Sequence, residues 1–247
     1  MVQLKSKINI LGICCSPRKD GNSQYLLERA LEVDAEELKQ LVDIKTYHIR
    51  GKKFWPCLAC DKCFDGPSKG ECVIKDDFQE LRDLWLEADV IIYSTPVYHY
   101  NVPGQLKCFL DRFGNSINKY FQVSSPRFLK VIGAISQGSH FGAGQESAIN
   151  FIIQHAVMKN CIPISGDGWE SYLGAVGWTA NLKDEGAIKQ LSANNDNEAL
   201  LAIKASKSLV VRAIETALIL RMGGLQLASF LNNNPYYEPF KKSINRE

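Results

Sequence analysis

Four of the eight cysteines, Cys57, Cys60, Cys63 and Cys72, fall within one short stretch of the chain. The run Cys-x2-Cys-x2-Cys places three thiols within seven residues, enough to wrap one corner of a cuboid cluster, and Cys72 follows near enough to close it. Cysteine thiolates are the usual ligands of [4Fe–4S] clusters, and this spacing is the core of the bacterial ferredoxin run. Zinc competes for such a set, but structural zinc sites usually take two separated Cys-x2–4-Cys knuckles. Unliganded thiols are the third reading. In a chain of this size, clustered cysteines signal metal or redox chemistry more often than a disulfide framework.

A second stretch has the composition of an anion site. Ser16-Pro17-Arg18-Lys19-Asp20-Gly21-Asn22-Ser23 follows an apolar run and leads into a helical pattern. A phosphate held there would meet free backbone N–H groups and the positive end of the helix dipole. Ser16 and Ser23 would add hydroxyl donors and Arg18 a charge, and Gly21 would let the backbone turn close to the ligand. The plain alternative is a strand-to-helix turn with Asn22 or Ser23 as N-cap. The familiar nucleotide loops are absent. There is no GxxxxGK[ST], and Gly142-Ala143-Gly144-Gln145-Glu146-Ser147 lacks the last glycine of GxGxxG and follows a late strand. No Ser/His/Asp, Cys/His or paired-carboxylate constellation stands out, so no catalytic side chain is assigned. His99 and His140 lie in loops, where contact with a ligand and simple exposure both stay open. His48 and His155, and Cys14, Cys15, Cys108 and Cys161, read as structural.

The elements that must position these residues alternate between strand and helix patterns. Strands are expected over 7–13, 44–49, 90–94, 128–135 and 161–164. Helices are expected over 22–41, 76–87, 104–113 and 145–158. Near-continuous apolar strands separated by helices predict a parallel sheet covered on both faces, with five strands in doubly wound order. Residues 171–177 read as irregular. A long amphipathic helix is expected over 197–220, stopped by Gly223-Gly224. The division expected is a domain over 1–169, with the cysteine loop at 55–75, and a helical C-terminal extension over 170–247 that docks on the core or on another subunit.

Composition narrows the class. Of 247 residues, 45% are hydrophobic and 23% charged, which excludes disordered and low-complexity chains. A net charge of +2 without a basic run argues against a general nucleic-acid or membrane-surface binder. No apolar stretch reaches the roughly 18 residues of a membrane span. The opening run after Lys5 and Lys7 ends in Ser16-Pro17-Arg18 without a cleavage site, so it reads as a first buried strand and the expected location is the cytoplasm.

Three motifs together resemble the flavodoxin-like NAD(P)H-dependent FMN reductase family. They are Ser-x-Arg-x-x-Gly-Asn-Ser at 16–23, Ser94-Thr95-Pro96-Val97-Tyr98 with Asn101-Val102-Pro103-Gly104-Gln105-Leu106-Lys107 and Leu110-Asp111-Arg112, and Gly142-Ala143-Gly144-Gln145-Glu146. The resemblance covers residues 7 to about 165 and overturns the plain reading of the first loop. It implies that Ser16, Arg18, Asn22 and Ser23 hold the FMN phosphate. Pro96, Val97, Tyr98 and Asn101 would lie along the isoalloxazine ring, and Ser136, Gly138 and the following loop would close its pyrimidine side. The cysteine loop, placed before Asp76-Asp77, resembles the iron–sulfur flavoprotein branch. Here the last gap is slightly longer, and Ala59 stands where glycine is common.

The resemblance implies an FMN-dependent oxidoreductase. Electrons would come from NAD(P)H or a reduced ferredoxin-like donor and pass through FMN and a [4Fe–4S] cluster on Cys57, Cys60, Cys63 and Cys72. It also implies a homodimer or homotetramer in which flavin and cluster of neighbouring subunits lie close. A cluster-free NAD(P)H:quinone or FMN reductase and a flavin electron carrier without its own substrate are the alternatives.

Overall fold

Ile8, Ile10, Leu11 and Ile13 are almost completely removed from solvent, so the opening strand β1 (Ile8–Cys14) is covered on both faces. This is the environment of a central strand in a parallel sheet. The computed structural model describes residues 6–64, 70–121 and 123–246. After β1 come α1 (Asn22–Leu31), α2 (Glu36–Lys39), β2 (Val42–His48), α3 (Phe78–Glu87), β3 (Val90–Pro96), α4 (Gly104–Tyr120), β4 (Val131–Gly138), α5 (Gln145–Met158) and β5 (Ile162–Pro163). The C-terminal part adds β6 (Ala175–Trp178), α6 (Ala187–Ala193), α7 (Asn197–Gln226), α8 (Ala228–Asn232), a 3-10 turn and α9 (Glu238–Ile244).

The strands pair in parallel in the order β2-β1-β3-β4-β5, the flavodoxin-like doubly wound arrangement expected. Ile10 stands opposite Ile44 on one side and Val90 on the other, and Val90 in turn stands opposite Val131. The fifth place is shared. β5 pairs with Val131 and Ile132, and β6 pairs with Ile135 through Gly138 further along the same strand. The stretch expected to be irregular at 171–177 therefore ends in a strand. Its four residues carry too short an alternation to show locally, and pairing with β4 makes the strand.

Two apolar layers sandwich the sheet. On one face α3, α4 and α5 bury an aromatic group, with Trp85 packed 4.4 Å from Phe113 and 5.2 Å from Phe128 between ring centres. On the other, α1 and α7 bury Leu26, Leu27, Leu209, Val210 and Ile214 against β1, β3 and β4. The helix expected over 22–41 stops at Leu31, because Glu32 is extended and the one-turn α2 that follows buries nothing. α7 begins where Asp196 accepts from the Ala199 N–H, and it presents Ala202, Ala205, Leu209, Ala213 and Ala217 to the core. It does not stop at Gly223-Gly224 but runs to Gln226. A Cβ on Gly224 would lie 2.8 Å from the Phe240 ring, so close packing of α9 is what the glycine permits there, at about 1 kcal/mol of helix propensity.

Candidate functional site

β1, β3 and β4 end on the same edge of the sheet, where ligands of open α/β folds bind. Their loops meet around a cavity of about 230 Å³. Ser16, Arg18, Gly21 and Asn22 line it from the first loop, Pro96, Val97 and Tyr98 from the second, and Gln137, Gly138 and Ser139 from the third. Seven of the ten residues expected at a flavin thus stand around one space: Ser16, Arg18, Asn22, Pro96, Val97, Tyr98 and Gly138. Ser23, Asn101 and Ser136 are not on its lining.

Ser23, in the first turn of α1, and Ser136, near the end of β4, are fully buried, and their hydroxyls have no hydrogen-bond partner among the described residues. A buried hydroxyl left in that state is costly. Asn101 turns its carboxamide oxygen to the Val102 N–H at 2.8 Å. Its backbone closes a two-residue hairpin with Tyr98, with His99 and Tyr100 at the tip at φ 46° and 65°. Left-handed backbone at two non-glycine residues is strained, and such strain gathers at ligand loops. Gly144 holds the tip in place: its φ is 104°, and a Cβ there would lie 2.6 Å from the Tyr100 Cα.

Helix α1 has Gly21 at its N-cap and no side-chain cap. Neither Asn22 nor Ser23 caps it. Instead the Asn22 carboxamide accepts from the Ile188 N–H at 2.8 Å and donates to the Asp184 carbonyl at 3.4 Å. This ties the loop to a segment of the extension that forms a fourth wall of the cavity, with Thr179, Leu182, Lys183, Asp184 and Glu185. Sequence reasoning missed that wall. The segment carries no motif and reaches the site only because β6 joins β4. The uncapped amides, Ser16, Arg18 and the two unpartnered hydroxyls form a donor set that suits a phosphate and a polar ring edge. FMN fits the residues present.

The cysteine loop is fastened at both ends. Asp76 accepts from the Trp55 N–H at 2.9 Å, from the Phe78 N–H at 3.1 Å and from the Arg112 guanidinium at 2.6 Å. Arg112 also donates to the carbonyls of Trp55 and Ile74, and its guanidinium lies 4.3 Å from the Phe78 ring centre. Burial raises the Asp76 pKa, but the Arg112 charge and the two N–H donors outweigh it and hold the carboxyl below its ordinary value. Gln79 donates to the carbonyls of Cys72 and Ile74. Arg112, expected only as part of a flavin-family helix, is thus a strut of the cysteine loop.

Between these struts Cys57, Cys60, Cys63 and Cys72 all line one small cavity. The chain reverses there through left-handed Ala59 and Asp61, at φ 48° and 53°. Burial, and then the neighbouring thiols of Cys72, Cys57 and Cys60, push the Cys63 thiol up. Among the described residues no three His, Cys, Asp or Glu side chains close on a single ion. One ion draws its sulfur ligands to about 2.3 Å of a point, whereas a cuboid cluster takes one thiolate at each of four corners. The four thiols are the residues of this loop that would hold either group. Burial raises the other thiols too, pushing Cys14 up to about 11 and Cys161 up to about 12, and raising Cys15 and Cys108 as well. His155 is depressed to about 4 by burial, as a structural histidine would be.

The sequence pattern of the NADPH-dependent FMN reductase family matches residues 8–166. An iron-sulfur flavoprotein of Archaeoglobus fulgidus is 34% identical over 170 residues, covering 69% of this chain and 82% of that one. Iron-sulfur flavoproteins of Methanocaldococcus jannaschii and Methanosarcina thermophila are 33% and 32% identical, covering 72% and 75% of this chain and 84% and 90% of theirs. Among solved structures, RosB with a bound riboflavin-phosphate intermediate superposes with a TM-score of 0.63 at 15% identity, over 87% of this chain and 81% of that one. The NAD(P)H:quinone oxidoreductase of Methanothermobacter marburgensis superposes with a TM-score of 0.52 at 14% identity, over 83% and 98%, and these two likenesses concern the fold alone. The matched stretch includes every loop that walls the cleft except the C-terminal one, and the chain belongs to the NADPH-dependent FMN reductase family, in its iron–sulfur flavoprotein branch, as a flavin-dependent oxidoreductase.

Proposed function

We propose that FMN sits at the carboxyl rim of the sheet, takes electrons from NAD(P)H or a reduced ferredoxin-like donor, and passes them to an acceptor by way of a [4Fe–4S] cluster on Cys57, Cys60, Cys63 and Cys72. The observation that carries the reading is the uncapped start of α1 beside Ser16 and Arg18, with the buried hydroxyls of Ser23 in the first turn of α1 and Ser136 near the end of β4 lacking partners. Ser16, Arg18, Asn22 and Ser23 would serve the phosphate end. Arg18 is exposed and makes no ion pair among the described residues. Lys183 lines the same cavity from the C-terminal segment and adds a second cation, next to Asp184 and Glu185. Asn22 acts through the wall it holds. Pro96, Val97 and Tyr98 would support the ring, with Asn101 fixing the hairpin that carries Tyr98, and Ser136 and Gly138 would face the ring's polar edge.

FMN supplies a centre that gains two electrons together and gives them up singly, which lets it serve both a hydride donor and a one-electron cluster. The protein's part is to orient the ring, shut water from its phosphate end and hold the cysteine loop rigid. Arg112 and Asp76 serve the last purpose. We further place the chain in the cytoplasm as a homodimer or homotetramer that brings one subunit's flavin near another's cluster. No helix among the described residues is long and apolar enough to cross a membrane.

The visible spectrum of anaerobically purified protein tests the whole reading, with flavin bands superposed on a broad absorption near 400 nm. Iron and acid-labile sulfide near four per chain are expected. Well below that, with flavin present, the cluster-free reductase takes its place. Anaerobic bleaching by NADH or NADPH is expected, and its failure with both favours a carrier fed by a protein donor. Colourless protein that does not quench added FMN fluorescence would end the flavin reading itself.

A further inference from the structure

A second cavity, of about 600 Å³, opens beside the flavin cleft and shares no lining residue with it. It lies where the start of α5 faces the start of α7. Four aromatic side chains line it: Tyr100, Phe141, Trp169 and Trp178. Phe141 and Trp178 pack edge to face at 5.7 Å, and the Trp178 indole is fixed by donating to the Ser139 carbonyl at 3.0 Å. Tyr100 is set by the strained hairpin and its contact with Gly144. Phe141 and Trp169 are nonetheless 85% and 86% exposed. Rings of this size held open to water on a preset frame suit a flat molecule that covers them.

The charge on the walls selects among flat molecules. Glu146, Glu170 and Glu198 line the cavity, and no lysine or arginine does. Glu170 is paired with Lys204 at 2.8 Å. Glu146 and Glu198 have no ion-pair partner among the described residues. Each stands in the first turn of its helix, where the partial positive charge of the helix end offsets only part of a full carboxylate charge. Aromatic faces also present negative potential to a ligand above them. We propose that this cavity, beside the flavin cleft, is a binding site for a planar aromatic cation.

The test is calorimetric titration of the full chain, saturated with FMN, using two planar probes that differ by one methyl group and the charge: N-methylquinolinium, which is always charged, and quinoline at pH 8, which is neutral. The cation is expected to bind about tenfold more tightly. The double variant Glu146→Gln/Glu198→Gln should bring the two affinities within about twofold of each other, and Trp169→Ala should weaken both probes. Unchanged FMN affinity shows that each variant is folded. Equal affinities in the unaltered protein, no binding of either probe, or a cation preference that survives the double variant overturns the proposal. So does a concentration-dependent dimer in sedimentation velocity that Trp169→Ala dissociates while neither probe binds, because a second copy then covers the face. If the chain takes up no FMN, the flavin reading fails by that result, and the same titration without FMN still decides this one.

Discussion

At the amino rim of the sheet, Asp89 lies just before β3 and is nearly buried. It accepts from the Asn9 N–H at 2.9 Å, from Arg221 of α7 at 2.7 Å, and from Arg246 near the C-terminus. Lys130, just before β4, is buried beside it and donates to the carbonyls of Leu86 and Ala88. At the carboxyl rim, the hydroxyls of Ser23 and Ser136 have no partner, α1 has no side-chain cap, and the Tyr98–Asn101 hairpin holds two residues in left-handed backbone. The same strands run between the two rims. One end is closed by ion pairs that reach across 132 and 157 residues of sequence, and the other keeps its donors free. Full satisfaction of buried groups marks an end built for stability, and buried donors without partners mark an end open to a ligand.

The largest effect expected from breaking this contrast is at Asp89. Asp89→Ala leaves Arg221, 3% exposed, without its carboxylate, which should lower stability by about 3–5 kcal/mol in urea denaturation. FMN affinity of the folded fraction should not change, and a matching loss of affinity would erase the distinction between the rims. Lys130 gives a smaller effect with a defined sign. Burial pulls its pKa from the ordinary 10.5 to about 8. Between these values the unfolded chain keeps a proton that the folded chain has shed, so stability rises with pH across that window. Compared with Lys130→Met, the native chain should gain on the order of 3 kcal/mol from pH 8 to pH 10.5. A flat difference between the two urea curves would show that Lys130 does not titrate in this range.

At the carboxyl rim the expected losses are of binding and leave stability alone. Arg18→Ala should weaken FMN by roughly tenfold to a hundredfold, the range of a charged hydrogen bond, and leave riboflavin affinity unchanged. Fluorescence titration with both flavins reads this ratio, and a parallel loss for riboflavin would remove Arg18 from the phosphate end. Lys183→Ala should be mildest, with a loss of about two- to fivefold for FMN only, because an exposed charge is screened by solvent. No change in the FMN-to-riboflavin ratio would make the fourth wall a cover without a cationic role.

Where a signal was local, the sequence showed it. Gln145–Met158 has the boundaries that its apolar spacing predicts. Cys57, Cys60, Cys63 and Cys72 stand out as a set by spacing alone, and they line one cavity. Ser16 and Arg18 stand where a strand-to-helix loop of that composition would put them. Where a signal depended on distant partners, it was hidden or misleading. Gly223-Gly224 reads as a helix stop, and only the Phe240 ring shows why the helix continues. Asn22 reads as a cap or a phosphate ligand, yet its carboxamide is tied to residues 184 and 188. Arg112 gives no hint in sequence that it locks both ends of a loop starting more than fifty residues earlier.

Residue type and spacing by themselves determined the parallel α/β plan and the four-thiol set, because helix and strand periods and cysteine spacings are properties of neighbours in the chain, and the resemblance of three motifs to a family marked the flavin loops. The tertiary structure alone decided which side chains share the cleft, that residues 179–185 wall it, that β6 completes the sheet, and that Asp89 closes the opposite rim. Each of these depends on contacts between residues far apart in sequence. Such contacts form only when burial of the two apolar layers brings the segments together, so no local pattern records them.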